Sequence, residues 1–212
     1  MTQSLNWKEN YKPKSVKYQL LFSLIILAAG LYFYSNFLTF IEAREGFSFK
    51  DPVLILIKPV NLTWLIFISI YLSLFLGIII LIKNPLQLVF TIQVYFVLIL
   101  IRMIAMYTVP FNPPPSMIPL NDPFVQFFGT GKLLTKDLFF SGHTATIFLL
   151  YLVVEKKIIK KIFLLFTIVV AVSVIVQHVH YFIDVFAAPF FTFTSYALVK
   201  RIRVNYNFFS YN

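Results

Sequence analysis

The chain has 212 residues, of which 59% are hydrophobic and 12% charged, with a formal net charge of +10 and no cysteine. Water-soluble domains carry about 25% charged residues, so this composition excludes a soluble globular domain and marks a single integral membrane domain. Absent cysteines exclude disulfides and thiolate metal sites, and the positive charge is distributed as the cytoplasmic Lys/Arg bias of membrane proteins requires, not as a nucleic-acid surface.

In chain order, a polar and basic N-terminus (1–17) precedes an apolar run over 18–40. That run is longer than the apolar core of a signal peptide, which predicts a retained first span. Further runs over 62–82, 85–107, 138–154, 162–179 and 181–199 are each long enough for one crossing. They predict an all-α, polytopic bundle of about six transmembrane helices over 18–203, with a short tail at 204–212. Long apolar runs favour helices over an alternating barrel. Residues 53–57 are apolar but too short to span, and with Asp51, Pro52, Lys58 and Pro59 around them they are expected to form a loop dipping into the interface.

Lys and Arg predict the orientation. One side collects Lys8, Lys12, Lys14, Lys17, Lys83, Lys156, Lys157, Lys160, Lys161, Lys200, Arg201 and Arg203; the other has Arg44, Lys50, Lys58, Lys132 and Lys136. Both termini are therefore expected in the cytoplasm, and the 111–136 loop and the 178–180 turn outside. The outer loop is rich in proline, which stiffens it. Its Phe124, Val125, Phe127 and Phe128 are expected to pack onto the membrane face, and Gly129-Thr130-Gly131 to turn tightly before Lys132.

Two stretches carry chemistry: Phe140-Ser141-Gly142-His143-Thr144 and His180-Tyr181-Phe182-Ile183-Asp184. One span down and one span back bring His143, His178 and His180 to the same membrane face. His180 and Asp184 are spaced i, i+4 and face one another on a helix. Such a carboxylate fixes the imidazole tautomer and aims the other ring nitrogen outward, holding a nucleophile or a base. His143 supplies a second proton-handling group, as phosphate ester exchange requires. Ser141 and Gly142 open a helix N-terminus, either as an anion cradle or as a simple cap. Arg102 lies within the third span and needs an anionic partner: substrate phosphate, Asp184 or Asp137. Lys136 and Lys132 attract anionic headgroups or solvate the loop. His178 reads as a polar side chain snorkelling to the interface. A metal set of His178, His180 and Asp184 is disfavoured, because helical residues two apart point away from each other. No metal and no cofactor are expected. The pattern points to phosphoryl transfer at a membrane surface through a histidine nucleophile.

Asp137-Leu138-Phe139-Phe140-Ser141-Gly142-His143-Thr144 and His180-Tyr181-Phe182-Ile183-Asp184-Val185 resemble the two signature motifs of sphingomyelin synthase-like proteins, a branch of the type-2 phosphatidate phosphatase superfamily. Arg102 with Tyr107-Thr108-Val109-Pro110 and Pro113-Pro114 resembles a further family segment, and the stretch from Lys50 to Asn61 resembles the first outer loop more weakly. The resemblance implies that His180 attacks phosphorus, that Asp184 orients it, and that His143 protonates the leaving group. It implies a phosphohistidine that passes to a lipid alcohol, ceramide or diacylglycerol, or to water, from a membrane phospholipid donor. The chain departs from the wider superfamily in having Val174 where an arginine stands six residues before the nucleophile, and in lacking a Lys/Arg-Pro motif. Phe182 replaces the branch's usual threonine. Two activities follow as expectations: a headgroup transferase and, with the same site, a phosphatase of phosphatidate or undecaprenyl diphosphate. A lipid translocator with a degenerate site is the third and conflicts with the intact His143, His180 and Asp184. The compact size points to a bacterial plasma membrane.

Overall fold

A computed structural model describes residues 13–120 and 134–205. The expectations for Phe124, Val125, Phe127, Phe128, the 129–131 turn and Lys132 lie outside the described residues. Seven helices are described: α1 (Pro13–Ala43), α2 (Pro52–Ile55), α3 (Thr63–Ile82), α4 (Pro85–Thr108), α5 (Gly142–Val153), α6 (Lys157–Val176) and α7 (Phe182–Asn205). Five are long and apolar enough to cross a membrane: α1, α3, α4, α6 and α7. With α5 they form the expected all-α, multi-pass bundle of about six spans.

Local chemistry sets the helix ends. Asn84 caps α4 by accepting from Gln87 N at 3.4 Å, and Pro85 follows at the first helical position, where its missing N–H costs nothing. Asp51 and Pro52 begin α2 in the same way, so the 53–57 stretch expected as a loop starts as one helical turn. α7 has Asp184 in its first turn and Arg203 in its last, both favourable to the helix dipole.

α5 differs most from expectation. The apolar run at 138–154 is helical only over Gly142–Val153, 12 residues, or ~18 Å of rise. Extended backbone at Val154 and Lys156 carries the chain on. Those two extended residues add about 7 Å, which brings this leg close to the ~30 Å rise of the 20-residue α6. The return helix therefore ends at the depth where α5 began. α5 sits centrally, packed against α3, α4, α6 and α7. Ala145, Ile147, Leu149 and Leu150 are buried in a core shared with Val94, Phe163, Val170 and Val174. At its far end, the buried Gln87 amide donates to the Val153 carbonyl.

The segments at 44–62, 109–120, 134–141 and 177–181 gather at the opposite end of the bundle and are stitched to one another. Phe47 N donates to Pro110 O at 2.9 Å, Asn112 N to Phe47 O at 3.0 Å, Val60 N to Val176 O at 3.1 Å, and Ile118 N to Gln177 O at 3.1 Å. Gly46 permits the first of these crossings, since a Cβ there would meet the Phe111 carbonyl carbon at 2.7 Å. Gln177, fully buried, accepts from Leu62 N and donates to Thr63 Oγ1 and Ile118 O. A buried amide with its bonds made specifies a single arrangement of the three segments it joins.

Candidate active site

The His143 and His180 rings meet at this stitched end, with centroids 5.8 Å apart and planes at 67°. His143 is in the first turn of α5, and His180 ends the turn between α6 and α7. The Ser141 backbone N–H donates to the Asp184 carbonyl at 3.0 Å, so the two motifs are joined directly by main chain. His180 is 1% and Asp184 0% exposed.

His180 Nδ1 lies 3.4 Å from Asp184 Oδ2, the i, i+4 pairing that the spacing predicts. The same oxygen accepts from Tyr181 N at 3.0 Å. This leaves Asp184 Oδ1 buried with no hydrogen-bond partner, an expensive arrangement outside a functional site. Because Nδ1 faces the carboxylate, Nε2 is the ring nitrogen available for chemistry. Tyr181 closes the turn: its hydroxyl donates to Asn112 O at 3.0 Å and its ring stacks on Phe49 at 4.3 Å. Burial pushes the Tyr181 phenol above its usual range, which keeps it a donor.

On the other motif, Ser141 Oγ accepts from Thr144 N at 3.4 Å and Ser141 is fully buried. Ser141 therefore caps α5, and its own amide is committed to the Asp184 carbonyl. Gly142 lies against Arg102: a Cβ there would come within 2.8 Å of the guanidinium carbon. Any side chain at this position would have to push the guanidinium away from its bonds to Asp137 and Phe140.

Arg102, for which three partners were expected, pairs with Asp137: Nη2 is 2.7 Å from Oδ1. Nε donates to Phe140 O at 2.7 Å, and Nη1 donates to the Tyr34 hydroxyl and, at 3.4 Å, to Asp137 Oδ2. Nη2 also reaches the Asp137 carbonyl at 3.4 Å. The planar fork thus holds the 137–142 segment onto α4 and α1, with Nε, Nη1 and Nη2 all bonded to protein groups. Lys136 donates through Nζ to Arg44 O at 2.6 Å, while Glu42 accepts from Thr135 N, Thr135 Oγ1 and Lys136 N. The ammonium therefore ties the lead-in of α5 to the end of α1.

His178 corrects the sequence reading. It does not snorkel: it is 2% exposed, with a left-handed backbone at φ 58° and Nδ1 2.5 Å from Ser116 Oγ. The positive φ costs a residue with a Cβ roughly 1 kcal/mol or more. The reverse at 177–180 demands it, because His178 N and Val179 N must both turn back onto α6 carbonyls, Ile175 O and Val174 O. Among the described residues, no three His, Asp or Glu side chains group as metal ligands would.

Sequence reasoning missed Asp51. Its Oδ1 accepts from Val53 N at 2.8 Å and Leu54 N at 3.3 Å, while Oδ2 accepts from Phe182 N at 2.7 Å. The Asp-Pro pair signals a helix start in the sequence, but nothing local to it reveals the bond across to α7.

Residues 136–201 match the family model described as PAP2 superfamily C-terminal. The matched segment holds both histidine motifs, with α5, α6 and most of α7. It supports the type-2 phosphatidate phosphatase superfamily and a membrane enzyme of phosphatase type. Among curated proteins none matches the chain. Chemically, two imidazoles beside a helix N-terminus can hold an anionic centre between a nucleophile and a proton donor.

Proposed function

We propose that this chain is an integral membrane phosphotransferase of the sphingomyelin synthase-like type, moving a phospho-headgroup between lipids through a phosphohistidine. The observation that carries the reading is the His143–His180 ring pair at 5.8 Å, with His180 braced by Asp184. In the proposed cycle, His180 Nε2 attacks the donor's phosphorus. The P–O bond to the diacylglycerol oxygen breaks, and His143 gives that oxygen its proton. Diacylglycerol leaves. The hydroxyl of an acceptor such as ceramide then loses its proton to His143 and attacks phosphorus, the P–N bond breaks, and His180 is regenerated. Asp184 fixes the tautomer throughout and stabilises positive charge on His180. The N-terminus of α5 at Gly142 and His143 favours the phosphoryl oxygens.

Hydrolysis is the second reading, favoured by the PAP2 match. It differs only in that water, not a lipid alcohol, reaches the phosphohistidine. The deciding experiment uses purified protein in liposomes with phospholipids labelled in the headgroup, with and without ceramide and diacylglycerol. A new labelled phospholipid supports transfer. Free phosphate or a free phosphorylated headgroup supports hydrolysis, and no turnover of any donor removes both readings.

We also place the stitched end on the outer membrane face and both termini in the cytoplasm, because Lys83, Lys156, Lys157, Lys160, Lys161, Lys200 and Arg201 lie toward the other end. The natural chain has no cysteine, so single cysteines at Lys58 and Lys157 report sidedness cleanly. Labelling of position 157 from outside in intact cells would reverse the assignment.

A further inference from the structure

The backbone amides that follow His180 are both held by carboxylates. Tyr181 N donates to Asp184, within the second motif, but Phe182 N donates to Asp51 Oδ2 at 2.7 Å. Asp51 comes from a segment 131 residues earlier. Its other oxygen is fixed by Val53 N and Leu54 N at the start of α2. The residue is 4% exposed, so its charge is satisfied by three amides and two helix dipoles.

We propose that Asp51 is a positioning residue for the nucleophile: its carboxylate clamps the first amide of α7 and thereby sets where the His180 ring stands relative to His143. The inference rests on the reading of His180 as the nucleophile. Three features of the geometry support it. The clamp acts two residues from His180, so α7 cannot rotate or slide without stretching a short, charge-assisted bond. It acts on the same turn that carries Asp184, so one displacement would loosen both the brace and the ring. It is also anchored outside the two-motif unit, through α2, so the site is referenced to a third part of the chain. A displacement of about 1 Å at a reacting group costs on the order of 10²-fold in rate, and loss of a buried clamp permits motion on that scale.

The test compares Asp51→Ala, Phe182→Pro and Phe182→Ala in the liposome assay. Proline is tolerated at a first helical position but has no N–H to give, and Phe182→Ala keeps the donor while removing the same ring. For Asp51→Ala we expect kcat to fall about 10²-fold with KM held within threefold. Phe182→Pro should lie at least tenfold below Phe182→Ala. A kcat within threefold of wild type for Asp51→Ala, or equal rates for the two Phe182 variants, overturns the positioning role while leaving the enzymatic reading intact. A raised KM with unchanged kcat overturns it too, since Asp51 would then touch substrate. If wild type turns over no lipid, the enzymatic reading fails. Hydrogen exchange at the Phe182 amide in detergent micelles then decides the clamp by itself: lost protection in Asp51→Ala sustains it, and retained protection overturns it.

Discussion

α1 and α5 are opposite solutions to the same solvent. α1 runs 31 residues and packs chiefly on α4, with Tyr18, Phe22, Ile25, Tyr32 and Phe33 turned outward. α5 has 12 residues and touches four helices. In lipid, an outward Phe on α1 loses nothing, because lipid tails are as apolar as a protein core. α5 cannot span by its own length, and its position comes from its neighbours and from the polar latch on its lead-in. Length measures fitness for crossing the membrane, whereas His143 stands on a helix too short to cross by itself.

Substitutions can break or sharpen that contrast. His180→Ala should abolish turnover in the liposome assay while the purified protein keeps its helical circular dichroism. Measurable residual turnover would remove the nucleophile from this position. Asp184→Asn should keep the fold and lower kcat by about 10⁴, the usual contribution of a carboxylate that orients an imidazole. Near wild-type turnover would defeat the brace. Asp137→Ala should destabilise the protein by about 3–5 kcal/mol in detergent unfolding, because it leaves the buried Arg102 uncompensated; no change would mean that Tyr34 and the Phe140 carbonyl suffice. Gly142→Ala presses a methyl onto the Arg102 guanidinium and should reduce turnover roughly tenfold, a shift of about 1.4 kcal/mol in the barrier. At the small end, Phe22→Ala on α1 should change stability by less than about 0.5 kcal/mol. A large effect there would show that α1's outer face meets protein as well as lipid.

The spans and the histidine pair were legible in the sequence because both are local signals. Hydropathy counts residues over a window, and i, i+4 spacing puts His180 beside Asp184 on a helix. The short α5 was not legible. Leu138, Phe139 and Phe140 are as apolar as any span residue, yet they form a lead-in whose Phe140 carbonyl accepts from Arg102 and whose continuation at Ser141 bonds to Asp184, partners that window averages do not see. Arg102 announced that it needed an anion; that the anion is Asp137 depended on how 137–142 crosses α4. His178 was misread because its fate rests on one dihedral angle and on Ser116, 62 residues away. Asp51 was hidden for the same reason: its cap on α2 is written locally, and its hold on α7 is not.

The contrast between α1 and α5 also bears on how the chain reaches the bilayer. α1 is made well before α4, and its largely outward-facing apolar surface suits it to reside alone in lipid in the meantime. α5 has no such option: twelve helical residues fall short of the roughly 30 Å hydrocarbon layer. Its packing against α6 and α7 holds it in place instead, and the same packing keeps the two imidazoles side by side.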